Sequence, residues 1–145
     1  MGDSRVTDIP FDPFAAVLEF HRQLGVHVEE RPGFPADPVV ALRLSLLREE
    51  MAELERAIAD RDVVEVADAL ADLVYVAYGT AISFGIDLRP VFEEVHRSNM
   101  AKVGGGSRAD GKVLKPPDWA PPRIRELLDG MRLGNEEGTN RAAAD

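Results

Sequence analysis

The sequence predicts an all-α fold, a bundle of four to five helices completed by a second copy of the chain. Three observations predict it. Apolar residues recur at helical spacing through most of residues 14–100, and no alternation of period two marks a strand. The helical stretches are set off by Asp residues that can cap and by Gly and Pro that can stop. Finally, residues 63–84 are apolar almost all round, which requires cover on every side. Three or four helices in 145 residues do not easily bury such a helix, so a homodimer, or that dimer doubled to a tetramer, is expected.

The elements follow in order. Residues 14–24 form a first helix with Asp12 or Asp3 as candidate cap, and it stops at Gly25. VEERPGFPADP is a Pro/Gly-punctuated loop. A second helix is expected over 38–59, with Pro38 in its first turn and Asp37 available as its cap. A third runs over 62–84 and closes at Gly85. Asp87 caps a fourth, LRPVFEEVHRSNMAK, where Pro90 still falls in the first turn. These make up a helical core over 12–102. Residues 103–122 are a Gly/Pro-rich basic arm, 123–132 a short helix, and 133–145 a tail expected to be disordered. Residues 1–132 thus read as one domain.

Composition narrows the function. A net charge of −9 argues against a nucleic-acid polymer as partner, because such binding rests on basic patches. The absence of cysteine excludes thiolate metal sites and disulfides. The N-terminal MGDSRVTDIPFDPF has no basic-then-apolar leader pattern, and the apolar runs fall short of the roughly 20 residues of a membrane span, so a cytoplasmic protein without membrane contact is expected.

Within the apolar third helix stands EVADALAD, residues 65–72. At about 100° per residue, Asp72 lies near 40° and Glu65 near 60° from Asp68, a single acidic stripe. No Lys or Arg occurs between Asp62 and Arg89. The compensating charge must come from another segment or a bound cation, since a carboxylate taken from water costs several kcal/mol. Gly79 and Ser83 continue the stripe and leave room beside it.

The second helix carries LLREEMAELE, whose Glu49, Glu50 and Glu53 fall within an arc of about 100°. Leu44, Leu47, Met51, Leu54 and Ile58 form the opposite stripe, expected to face the core, with Arg43, Arg48, Glu55 and Arg56 mostly on the flanks. Glutamate runs of this kind are common on solvated helices. Two consecutive helices joined by a short turn pack antiparallel, however, and would bring five or six carboxylates together. Such a constellation suits a hard divalent cation, Mg²⁺ with Mn²⁺ as substitute.

The pattern E-E-x-x-E at Glu49, Glu50 and Glu53, followed by an acid-x-x-Asp element and LVYVAYG on the next helix, resembles the MazG-like all-α nucleoside triphosphate pyrophosphohydrolases. VHRSNMAK and D-G-K-x-L-K resemble a bacterial subgroup related to dimeric dUTPases and phosphoribosyl-ATP pyrophosphohydrolases. The resemblance spans about residues 14–122. It implies Mg²⁺-dependent cleavage of a (d)NTP, dUTP or another non-standard nucleotide among the candidates, to the monophosphate and pyrophosphate in nucleotide-pool house-cleaning. A phosphoribosyl-ATP substrate is the alternative. It further implies Glu50, Glu53 and Asp72 as principal metal ligands and Glu49 as a ligand or the base that takes a proton from water. One departure stands out: the superfamily's second motif is Glu-x-x-Asp, and here Ala69 occupies the Glu position. Asp68 is one turn from Asp72, about 6 Å along the axis, whereas Glu65 is two turns away and at capping distance from Asp62. Asp68 is therefore expected as the fourth metal carboxylate.

His96, Asn99 and Lys102 share a face of the fourth helix; Asn99 could read a sugar hydroxyl or a base, and Lys102 a phosphate. Residues 102–115 carry Lys102, Arg108, Lys112 and Lys115 against Asp110, so Lys112 and Lys115 are expected on a flexible phosphate-binding lid. His21 and His27 read as surface residues near a helix end, and Trp119 as a packing anchor. A di-iron carboxylate bundle needs two E-x-x-H motifs, and only Glu93 with His96 supplies one. A non-catalytic helical interaction protein would leave the acids solvated.

Overall fold

Three aspartates open three of the helices. Asp12 accepts a hydrogen bond from the Ala15 N–H (3.1 Å) and starts α1, Pro13–Leu24. Asp62 accepts from the Val64 and Glu65 N–H groups (3.0 and 3.2 Å) and starts α3, Val63–Ser83. Asp87 accepts from the Arg89 N–H (3.1 Å) and starts α4, Leu88–Met100. Each satisfies N–H groups that a helix start leaves without partners. Helix α2, Asp37–Ala59, differs: its N-cap is Ala36, no side chain caps it, and Asp37 is already inside the first turn, where its charge favours the helix dipole instead. The C-terminal α5 is shorter than expected, Ile124–Asp129. The computed structural model describes residues 10–133, so Asp3 and the tail from residue 134 onward lie outside the described residues. Among the described residues the fold is all-α, with only an isolated bridge between Ser107 and Val113.

The most extensive pairing is α2 against α3; α1 packs on α3, and α4 on α5. The apolar core lies between α1 and the C-terminal half of α3, where Phe14, Val17, Ala81 and Ile82 are buried and Phe14 meets Tyr78 edge to face at 5.9 Å. Leu133 belongs to this core rather than to a disordered tail: it is buried, and its N–H donates to the Glu30 carbonyl (2.7 Å). The loop after α1 is bound to the end of α3 by Glu29 N–H to Ile82 O (3.2 Å) and Gly33 N–H to Phe84 O (3.0 Å). Gly85, with φ of 70°, ends α3 where a Cβ would overlap the Arg31 carbonyl. Arg89 joins the two cap aspartates, reaching Asp12 (2.6 Å) and Asp87 (2.8 Å) while lying over the Phe14 ring.

The face of α2 that meets α3 is not the apolar one. Arg43 and Ala57 are its buried residues, with Leu46, Leu47, Glu50 and Leu54 half-buried. Leu44 and Met51 are 45% exposed and Ile58 59% exposed, so three of the five residues expected in the core stand open at heptad spacing, while Leu47 and Leu54 are half-buried. Leu70 and Val74 of α3 are equally open and border a groove of about 420 Å³ with Phe11, Pro13 and Tyr78.

Helix α3 spans 21 residues and is long and apolar enough, by length and composition, to cross a membrane, contrary to the expectation that the apolar runs fall short. Its Asp68 and Asp72 would each cost about 2.5–3.5 kcal/mol near a bilayer centre. Its partner α2 meets it through charged side chains, so it is read as a helix packed within the fold.

Candidate active site

The antiparallel pairing of α2 with α3 brings the two acid motifs together. One carboxylate oxygen from each of Glu50, Glu53 and Asp72 lies within 4.8 Å of the other two. Glu53 and Asp72 are exposed, whereas Glu50 is half-buried and its Oε2 is withdrawn from solvent with no hydrogen-bond partner. A buried carboxylate oxygen without a partner demands an explanation, because leaving it unmet costs several kcal/mol. Desolvation raises the Glu50 pKa, and the charges of Glu53, Asp72, Glu49 and Asp68 raise it further. Of the five acids expected at the site, Glu50, Glu53 and Asp72 come together, while Glu49 and Asp68 lie near enough for their charge to act on Glu50.

The outer acids differ in their ties. Glu49 is exposed and accepts a hydrogen bond from the Ser45 hydroxyl (3.0 Å), outside the close trio. Asp68 is exposed and near enough to act on Glu50 by its charge. Glu65 lies in the first turn of α3 with its N–H on Asp62. Only half of a reciprocal cap forms, because the Asp62 N–H is already donated to the Ala57 carbonyl (3.1 Å).

Glu50 and Asp72 also form one end of a pocket of about 240 Å³, whose other walls are Phe20, Leu46, Tyr75 and Val76 and whose deeper polar groups are His21 and Arg43. Neither His21 nor Arg43 is the surface or flank residue the sequence suggests: they are 2% and 5% exposed. Arg43 donates from Nε to Thr80 Oγ1 (3.2 Å) and from Nη2 to the Val76 carbonyl (2.8 Å). His21 donates from Nδ1 to the His27 carbonyl (3.1 Å), which also accepts from the Ser83 hydroxyl (3.0 Å). Burial lowers the His21 pKa against the raising effect of the hydrogen bond to the His27 carbonyl, and the Arg43 charge lowers it further, which favours the neutral ring; the carbonyl partner puts the proton on Nδ1. Both side chains cross α3 at Gly79, where a Cβ would come within 2.5 Å of Arg43 Nη2 and 2.7 Å of His21 Nε2. A glycine inside a helix costs up to about 1 kcal/mol against alanine, and that local cost was the signal in the sequence that something large crosses there.

The remaining candidates gather elsewhere. Lys102 Nζ donates to Asn99 Oδ1 (2.7 Å) and lies 5.4 Å from the Trp119 ring, while Lys115 Nζ lies 4.2 Å from it. Trp119 is the anchor expected: its Nε1 donates to the Ser98 carbonyl (2.8 Å), and the Ser98 hydroxyl donates to the Ala120 carbonyl (3.2 Å). The basic arm turns back on itself through Arg108 N–H to Lys112 O (2.7 Å), with Arg108 paired to Asp110. None of Asn99, Lys102, Lys112 and Lys115 lines the pocket.

The family model of phosphoribosyl-ATP pyrophosphohydrolase matches residues 17–99, a stretch that contains both acid motifs and ends before the basic arm. Uncharacterized protein L479 of Acanthamoeba polyphaga mimivirus is 39% identical over 79 residues, 52% of this chain and 32% of the relative. The match thus spans about a third of that relative's length.

Proposed function

From the premise that the chain belongs to the phosphoribosyl-ATP pyrophosphohydrolase family, within the MazG-like all-α superfamily, we propose that it hydrolyses a nucleoside triphosphate to the monophosphate and pyrophosphate with a divalent cation. The observation that carries this reading is the orphaned Glu50 Oε2, placed among the carboxylates of Glu53 and Asp72. An all-oxygen, acid-rich donor set suits Mg²⁺, with Mn²⁺ as substitute. Glu50, Glu53 and Asp72 would hold the ion, and Asp68 and Glu49 complete the negative field around it. Bound there, the cation would offset charge on the phosphates and on the departing pyrophosphate.

Water adds across the α–β phosphoanhydride bond, and the proton it gives up needs an acceptor. Glu49 is suited to that role, since its carboxylate lies outside the trio and is oriented by Ser45. Lys102, Lys112 and Lys115 are assigned to the phosphate tail and Asn99 to the sugar, on the strength of the positive charge of residues 102–115. The family's own description makes phosphoribosyl-ATP the second substrate to test.

The working form is a homodimer, or that dimer doubled. What supports it is the open apolar stripe of Leu44, Met51 and Ile58 together with Leu70 and Val74. Each of these large side chains forgoes of the order of 1 kcal/mol while half uncovered.

The activity is tested by pyrophosphate release from a panel of (d)NTPs and phosphoribosyl-ATP with Mg²⁺, in the wild-type protein and in Glu53→Gln. Release that disappears with Glu53→Gln supports the assignment. No release from any substrate, or equal turnover by the variant, refutes it.

A further inference from the structure

The acid end of the pocket accounts for a metal and phosphates, but it does not account for Arg43 and His21. A guanidinium carries five N–H donors, and Arg43 uses one on Thr80 and one on Val76. Among the described residues no carboxylate lies within ion-pair distance of it, and the other three donors have no protein acceptor. His21, with its proton on Nδ1, offers a lone pair at Nε2 that meets no donor among the described residues. Two side chains that are themselves buried therefore present a free donor group and a free acceptor next to each other at Gly79, in a pocket otherwise walled by Phe20, Leu46, Tyr75 and Val76.

A phosphate does not fit this pair. An anion would gain from Arg43 but would face the lone pair of a neutral imidazole, and apolar walls would take the place of its water. A flat, uncharged heterocycle with an acceptor next to a donor satisfies both groups and stacks on the aromatic walls. We propose that Arg43 and His21 form a base-reading site, in which the guanidinium donates to a ring carbonyl and His21 Nε2 accepts the neighbouring ring N–H. This selects bases with a lactam edge, such as uracil, thymine, guanine or hypoxanthine, over cytosine and adenine. A carbonyl oxygen has two lone pairs and can take more than one guanidinium N–H, whereas a ring nitrogen has one. Gly79 is the positioning residue, since its missing side chain lets the pair reach the pocket across α3. The proposal rests on the nucleotide pyrophosphohydrolase reading and adds the class of base.

Two measurements separate the failure of one from the failure of the other. In the first, kcat/KM for dUTP, dTTP, dGTP, dITP, dCTP and dATP is compared in wild type, Arg43→Lys and His21→Gln. The lactam bases are expected to lead by about tenfold, because cytosine and adenine also set an acceptor beside a donor but their ring nitrogen takes one charged guanidinium N–H fewer than a carbonyl oxygen does. Both variants are expected to lose that lead mainly through the lactam substrates. A rate loss equal for all six, or a wild type that treats dCTP and dUTP alike, overturns the base assignment. In the second, dUMP and dCMP are titrated calorimetrically into metal-free wild type and His21→Gln. Preference for dUMP that His21→Gln removes supports the site even where Arg43→Lys fails to fold. Equal affinity for the two overturns it while pyrophosphate release stands. A kept preference without pyrophosphate release from any nucleotide overturns the enzyme reading alone.

Discussion

Replacing Gly79 with Ala adds a single methyl group where two buried side chains cross a helix. In an open helix interior the change stabilises by about 0.5–1 kcal/mol through backbone entropy. Here the new Cβ would lie 2.5 Å from Arg43 Nη2, 2.7 Å from His21 Nε2 and 3.2 Å from Arg43 Cζ, so both groups must move by close to an ångström. Neither moves freely. Arg43 is held by the Val76 carbonyl and Thr80, and His21 by the His27 carbonyl. Overpacking of this kind costs about 1–3 kcal/mol. A guanidinium that swings away instead gives up hydrogen bonds from a charged group, each worth about 1.5–3 kcal/mol. After the helix gain, a net loss of about 1–2 kcal/mol is expected, or a Tm lower by about 3–8 °C for a domain of this size. Urea unfolding followed by circular dichroism reads the loss, and a double-mutant cycle assigns it. In a background with both Arg43→Ala and His21→Ala, the same Gly79→Ala change should be neutral or stabilising. A Gly79→Ala protein more stable than wild type, or a penalty that persists without both the Arg43 and His21 side chains, would show that the pair does not cross α3 as described.

Glu94 accepts from Arg97 and from the Arg123 N–H, and these bonds hold its pKa down to about 2. Its contribution to holding the start of α5 is present above the ordinary glutamate value of 4.5 and lost as pH falls toward 2; hydrogen exchange at Arg123 should accelerate over that window in wild type and not in Glu94→Gln. Asp68→Asn should lower metal-dependent hydrolysis by orders of magnitude with little change in Tm, whereas Glu65→Gln should keep most activity and cost at most about 1 kcal/mol; the reverse ranking would place Glu65 at the metal. Replacing Lys112 and Lys115 together with Ala should raise KM for the triphosphate, and unchanged kinetics would remove the arm from the site. Light scattering at micromolar concentration should give at least twice the 15.9 kDa of one chain, and Leu44→Glu with Met51→Glu should lower it; a wild-type mass near one chain refutes the dimer.

The acids at the site were legible because charge inside an apolar helix is rare and expensive, so Asp68 and Asp72 stand out in the sequence itself. Arg43 was not legible for the opposite reason. It lies in a helix with other arginines, and only the crossing at Gly79 distinguishes the buried one from Arg48 and Arg56, which stay exposed. His21 was hidden likewise, because its burial depends on a carbonyl six residues onward, His27 O, presented by the loop that folds back over α3. The apolar stripe of α2 misled for a more general reason. Periodicity locates a face that must be covered but does not say by what. In this chain α3 takes the face that carries Arg43, Glu50 and Ala57, because that face alone closes the carboxylate trio and seats the guanidinium on Val76 and Thr80. Leu44, Met51 and Ile58 are then left turned away from α3. The same rotation of α2 that builds the polar pocket therefore leaves Leu44, Met51 and Ile58 uncovered on the surface of the chain, so the pocket and the open apolar side chains both follow from one helix orientation.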